Sequence, residues 1–89
     1  MTLHLGAGER KILKWLYERD RWHLTQRILN TLVPDDYANS PKEWGGRKLR
    51  RLQEKQLVRG RHVGHKNTKV WTITTKGREV VEKRGLVED

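Results

Sequence analysis

The sequence predicts a mainly helical α+β domain, with three helices, a β-hairpin and a closing helix in that order. Two observations support this order. Apolar residues recur at helical spacing in the first half of the chain and again near its end. Between these parts, two short β-prone runs flank "GHKNT", whose small and polar residues are typical of a hairpin tip.

The first two helices are predicted from their apolar faces. Ile12, Leu13 and Leu16 place the first helix at about residues 8–20. The run "RWHL" reads as a short extended piece, and the second helix follows it with Thr25 as a suitable N-cap. A proline ends this helix, and "PDDYANS" then forms a loop rich in turn formers. The apolar stripe of the second helix consists of Leu24, Ile28, Leu29, Leu32 and Val33.

The third helix lies in "SPKEWGGRKLRRLQEKQ", residues 40–56. Ser40 and Glu43 form a capping-box pattern, and Pro41 occupies the first helical position. The two glycines are unusual, since each costs about 1 kcal/mol in a helix relative to alanine. At 100° per residue, Gly45 points inward, where a neighbouring helix could pack closely, and Gly46 points outward. The alternative is that "EWGG" is a turn and the helix becomes regular only afterwards.

The hairpin and the last helix complete the order. The strands are expected at about residues 58–63 and 69–74, with Trp71 and Ile73 on one face. The last helix is predicted in "TTKGREVVEKRG". It would be capped by Thr74 or Thr75, pack through Val80 and Val81, and end at Gly85.

Composition and charge narrow the function. The 89 residues suffice for one small domain, spanning 1–89, with a net charge of +9. Residues 40–69 hold ten Lys or Arg and two Glu, so nearly all of the excess charge lies in one third of the chain. This segregation favours a polyanion partner, most simply nucleic acid. The absence of cysteine excludes disulfides and thiolate metal sites. No long apolar run or signal peptide is recognisable, which predicts a cytoplasmic, nucleoid-associated protein without a membrane segment.

Three segments resemble small prokaryotic, archaeal, phage or plasmid winged helix-turn-helix regulators. "RKLRRLQEKQLVRGR" resembles their recognition helix leading into the wing, and "VWTITTKG" resembles their strand-to-helix signature. "ILKWLYERDRWHLTQRIL" is similar to their opening, notably in replication-relaxation-type proteins. The resemblance covers about residues 9–84. The loop "PDDYANSPKEW" is longer than the turn usual between the second and third helices, and the paired glycines are also unusual.

The resemblance implies a sequence-specific transcriptional regulator, most simply a repressor, that binds double-stranded DNA without a cofactor. The third helix would enter the major groove, and the wing would lie beside the minor groove. Arg47 and Arg50 face outward, and arginine is well suited to bidentate contact with guanine. The predicted DNA contacts are Lys42, Trp44, Gly46, Arg47, Arg50 and Arg51 on the third helix, with Arg61, His65, Lys66 and Lys69 on the wing.

These contacts are expected to differ in role. Lys42 and Arg51 would meet phosphates, and Gly46 would bring bare backbone near a phosphate. Trp44 could stack on a sugar or base, or instead pack against the long loop. The wing residues would follow the DNA backbone.

Other functions have less support in the sequence. An RNA-binding or ribosome-associated winged helix would have a similar basic charge, although side chains read base edges better in the DNA major groove. A Z-DNA binder would need Asn and Tyr on the third helix and prolines in the wing. His62 and His65 could bind a metal, but no further local ligand follows them. Asp35 and Asp36 lack a placed base or nucleophile, so an enzyme is not expected.

A homodimer is expected because one recognition helix covers only a few base pairs. Specific sites generally combine two half-sites about one helical turn apart. Apolar residues outside the basic segment could supply the subunit contact. The candidates are the N-terminal "MTLHLG", Trp15 and Tyr17 on the first helix, and Val80, Val81, Leu86 and Val87 near the C-terminus.

Overall fold

The computed structural model of this chain describes residues 5–19, 21–64 and 68–84. The predicted order of helices and strands is confirmed, and the fold is mainly helical. Its helices and strands are α1 (Ala7–Glu18), β1 (His23–Leu24), α2 (Thr25–Leu32), a 3-10 turn (Asp35–Tyr37), α3 (Pro41–Glu54), β2 (Val58–Val63), β3 (Thr68–Ile73) and α4 (Thr75–Arg84). No helix in these ranges is long and apolar enough to cross a lipid bilayer.

The sheet has three antiparallel strands in the order β1-β3-β2. Strands β2 and β3 form the predicted hairpin, with Val58 opposite Ile73 and Val63 opposite Thr68. The run "RWHL" contributes more than an extended piece, because β1 pairs with β3 through His23 and Trp71. The sheet is therefore tied to the start of α2 as well as to the end of α3.

One hydrophobic core joins the helices to the inner face of the sheet. Trp71 and Ile73 lie on the same buried face of β3, as their spacing predicts. Tyr17 and Val80 are partly buried against the core. The buried core residues are Leu5, Ile12, Leu13, Trp15, Leu16, Ile28, Leu29, Leu32, Trp44, Leu49, Leu52, Leu57, Val58, Trp71, Ile73 and Val81.

Thr25 does not cap α2, so that prediction is wrong. Leu24 occupies the N-cap position and forms no side-chain cap, while Thr25 is the first helical residue. The Thr25 hydroxyl donates a hydrogen bond to the Lys69 carbonyl at 3.0 Å. It also accepts one from Trp71 Nε1 at 2.7 Å. The hydroxyl thus connects α2 to β3 and provides the acceptor that the buried indole N–H of Trp71 needs.

The third helix is continuous through both glycines, so the alternative turn at "EWGG" is wrong. Ser40 is the N-cap residue and Pro41 begins the helix, as predicted, but the Ser40 side chain makes no capping hydrogen bond. Gly45 is buried, and a Cβ placed on it would overlap the Leu29 side chain of α2. Gly46 is exposed, with nothing within 4 Å of the position of an added Cβ. The helical spacing therefore assigned both glycines correctly.

The last helix begins as predicted. The Thr74 hydroxyl accepts a hydrogen bond from the Gly77 N–H at 2.9 Å, which is the expected cap. Val81 is fully buried. Tyr17 of α1 donates a hydrogen bond to Glu82 at 2.8 Å, and this bond raises the pKa of the Tyr17 phenol. The predicted end of α4 at Gly85 lies outside the described residues.

Candidate nucleic-acid interface

The outer face of α3 presents exposed guanidinium groups. Arg47 and Arg50 are both exposed, one helical turn apart. Within the described part of the chain, neither forms an ion pair or a hydrogen bond. Lys42 is exposed on the same side of the helix. These charges are therefore available to an anionic partner and are not neutralised within the fold.

A cleft of about 590 Å³ runs along this face of α3. Tyr37 of the 3-10 turn lines the cleft together with residues of α3. Gly46 is among them, and a Cβ added to it would meet no protein atom within 4 Å. The lining residues are Tyr37, Lys42, Glu43, Gly46, Arg47 and Arg50.

The helix that bears this face is firmly held against the rest of the fold. Its N-terminal half packs closely on α2 at Gly45 and Leu29. Near its C-terminal end, Lys55 forms an ion pair with Glu9 of α1 at 2.9 Å. Glu9 is only 4% exposed, so this pair is shielded from solvent more than a surface pair would be. A side chain on the outer face of α3 thus projects from a fixed backbone.

Trp44 is not an exposed DNA contact, and this part of the site prediction needs correction. Its side chain is 8% exposed. The ring lies beside Gly8 at the start of α1, with Lys48 Nζ 5.0 Å and Lys11 Nζ 6.0 Å from its centroid. None of these contacts of Trp44 is with the long loop between α2 and α3. Trp44 therefore fixes α3 against α1 and cannot offer a stacking surface.

The other predicted residues separate into two groups. Arg51 is exposed one helical turn after Arg47 but does not line the cleft. On the hairpin, Arg61 places its guanidinium 5.4 Å from the centroid of the Trp22 ring. Lys69 places its ammonium 4.4 Å from the centroid of the Trp71 ring. His65 and Lys66 lie outside the described residues.

Arg61 and Lys69 lie on opposite faces of the hairpin. Arg61 is opposite Val70 in the register, and residues directly opposite each other point to the same face. Lys69 precedes Val70 along β3, so it points to the other face, on the side of Trp71. A single DNA backbone that follows one face of the hairpin cannot meet both charges in the same way.

In the described residues, no group of three or more His, Asp or Glu side chains is placed to bind a metal ion. Asp35 and Asp36 are exposed on the 3-10 turn.

Tyr37, at the end of the same turn, was not among the predicted site residues, although it borders the cleft. Only the unusual length of the loop could have drawn attention to it.

Comparison with solved structures gives consistent matches. The chain is similar to ZitR of Lactococcus lactis, a zinc-responsive MarR family member, with a TM-score of 0.70 and 21% identity over 96% of this chain and 54% of that chain. It is also similar to a mutant MepR from a multidrug-resistant S. aureus clinical isolate, with a TM-score of 0.70 and 18% identity over 96% of this chain and 57% of that chain. The fold is a winged helix.

This winged helix spans about half the length of the structures it matches. Neither protein-family models nor curated protein sequences gave a match. In the winged-helix arrangement, α2 and α3 form the helix-turn-helix pair and the β2–β3 hairpin forms the wing. The short strand β1 is an edge strand of the sheet and pairs with β3 on the side away from β2. The cleft beside Arg47 and Arg50 thus lies on the second helix of this pair.

Proposed function

We propose that this winged helix is a DNA-binding transcriptional regulator, acting as a repressor in the cytoplasm, that reads duplex DNA with the outer face of α3. The observation that supports this most directly is that Arg47 and Arg50 are exposed on α3 and have no partner among the described residues. A guanidinium that becomes buried in a complex needs hydrogen-bond acceptors in its partner. Phosphate oxygens and guanine edges provide such acceptors. The match to replication-relaxation-type proteins stays a hypothesis.

The proposed contacts divide into base readers and phosphate binders. Arg47 and Arg50 would meet guanine O6 and N7 in the major groove. Lys42 would meet a phosphate at the groove edge, and Arg51 a phosphate on the other flank of the helix. The open backbone at Gly46 would let the duplex approach α3 closely, since an added Cβ there has no protein neighbour within 4 Å. Arg61, with the wing-tip residues, would follow the DNA backbone.

Binding to duplex DNA should depend strongly on salt. If the protein neutralises about 4–8 phosphates, log K should fall with log salt at a slope of about −4 to −7, near −0.9 per contact. The measurement is a fluorescence-anisotropy titration at several salt concentrations, with a duplex selected from a random pool. Structured RNA serves as competitor in the same assay.

Two results would contradict the proposal. An affinity that does not change with salt would exclude a phosphate-binding surface. Tighter binding to structured RNA than to every duplex would favour the RNA-binding alternative, for which the basic charge is equally suitable.

The homodimer is a second part of the proposal. Fewer apolar residues are available for the subunit contact than the sequence indicated. Trp15 and Val81 are buried in the core of the single chain, so neither can supply a subunit contact. Tyr17 and Val80 are only partly buried and remain available at the α1–α4 surface. Leu86, Val87 and the first four residues lie outside the described residues.

Light scattering at micromolar protein concentration should give about twice the chain mass of 10.6 kDa. The expectation follows from the need for two half-sites in a specific operator. The same measurement with a selected duplex should give two protein chains per DNA. A mass of one chain in both experiments would contradict the dimer and leave a monomer that reads one short site.

A further inference from the structure

Tyr37 has a defined position beside the recognition helix. It is the last residue of the 3-10 turn, and its backbone N–H donates a hydrogen bond to the Pro34 carbonyl at 2.9 Å. The Tyr37 carbonyl accepts a hydrogen bond from the Ser40 N–H at 2.8 Å. Because Ser40 is the N-cap of α3, this turn is fixed directly to the start of the helix. The tyrosine is therefore held at one place on the cleft.

The fold does not use the Tyr37 side chain. It is 47% exposed. Within the described residues, its hydroxyl makes no hydrogen bond and its ring has no aromatic or cationic partner. The half-exposed Tyr37 ring lines the same cleft as Arg47 and Arg50, so an anionic ligand of these two cations would also meet the ring.

The chemistry of the cleft indicates what Tyr37 would contact. The other lining side chains are three cations and one carboxylate, apart from the bare backbone of Gly46. The Tyr37 ring is therefore the main apolar surface in a cleft with a positive balance of charge. The edges of the major groove offer guanine acceptors to arginine, and they offer one apolar group, the C5 methyl of thymine. The charge of the cleft makes duplex DNA the occupant that matches both features.

We propose that Tyr37 reads a thymine methyl group next to the guanines that Arg47 and Arg50 contact. The proposal rests on the proposed function, since it requires α3 to lie in the major groove. The turn at Asp35–Tyr37 then extends the reading surface of α3 sideways by one base pair.

The test replaces each thymine of the selected duplex, one at a time, by deoxyuridine, which lacks only the methyl group. With the wild-type chain, one such replacement near a preferred guanine should weaken binding by about 3- to 10-fold, the size expected for one methyl contact. Tyr37→Ala should weaken binding to the thymine duplex by a similar factor and should no longer distinguish thymine from deoxyuridine there. Tyr37→Phe keeps the ring and should retain the distinction.

The controls separate a failed proposal from a failed fold or a failed function. Arg10→Ala, at an exposed position of α1 that belongs neither to the cleft nor to the proposed subunit contact, should leave the deoxyuridine profile unchanged. Tyr37→Gln is a second variant without the ring, should Tyr37→Ala fold poorly, and circular dichroism with thermal melting reports folding for each. If the wild-type chain prefers no duplex sequence, the proposed function fails and this inference fails with it.

If the wild type is sequence-specific, three results would overturn the inference on Tyr37 alone. The first is a preferred site without thymine beside its guanines. The second is an unchanged deoxyuridine profile in Tyr37→Ala. The third is an equal loss of affinity for all duplexes in Tyr37→Ala, which would show that Tyr37 contacts the DNA backbone and not a base.

Discussion

Replacing Arg47 or Arg50 by alanine should reduce affinity for the preferred duplex by about 5- to 150-fold each, corresponding to about 1–3 kcal/mol. The loss is expected because each guanidinium is exposed on the outer face of α3 and has no partner in the part of the chain that the structure describes. Sequence preference should relax at one base pair per variant, since a guanine contact is lost. The measurement is binding to the selected duplex and to duplexes with single base-pair changes.

The control for charge is Arg10→Ala. Arg10 is exposed on α1, outside the basic segment, and its loss removes the same charge. Its effect should be small and equal for all duplexes, and the stability of all three variants should change by no more than about 0.5 kcal/mol. If Arg61→Ala on the wing changed sequence preference while Arg47→Ala and Arg50→Ala did not, the assignment of α3 to the major groove would be reversed.

The neighbouring glycines of α3 should respond to alanine in opposite directions. Gly45→Ala should lower the free energy of unfolding by about 1–3 kcal/mol, because the new Cβ overlaps the Leu29 side chain, which is 1% exposed and has little room to move. Gly46→Ala should raise the free energy of unfolding by about 0.5–1 kcal/mol, because its Cβ meets nothing within 4 Å and alanine is the better helix former. Thermal or urea unfolding measures both changes.

Binding separates the two glycines further. Gly46→Ala should bind the preferred duplex more weakly in spite of its greater stability, because the added methyl group holds the DNA away from the backbone. An unchanged affinity would show that the duplex does not approach this position. For Gly45→Ala, combination with Leu29→Ala should cost less than the sum of the single changes, since the overlap disappears with the leucine side chain. Strict additivity would mean that another contact causes the loss.

The sequence by itself determined the order of the helices and strands and the two sides of α3. These features depend on local periodicity: 100° per residue places Gly45 inward and Gly46, Arg47 and Arg50 outward in any helix with this sequence. The hairpin and the cap of α4 at Thr74 were predictable for the same reason, because turn residues and threonine caps act within a few residues.

Only the tertiary structure decided what the ambiguous side chains contact. The Thr25 hydroxyl bonds to Trp71 and Lys69, and not to its own helix. These partners lie 44 to 46 residues away in the sequence, so a local pattern does not predict the bonds. Trp44 lies on the flank of α3, where the spacing allows burial or exposure, and its ring is buried beside Gly8 of α1. Tyr37 joins the cleft only because an irregular loop folds back beside α3. Loops have no period, so the position of such a side chain follows from long-range packing that no local pattern encodes.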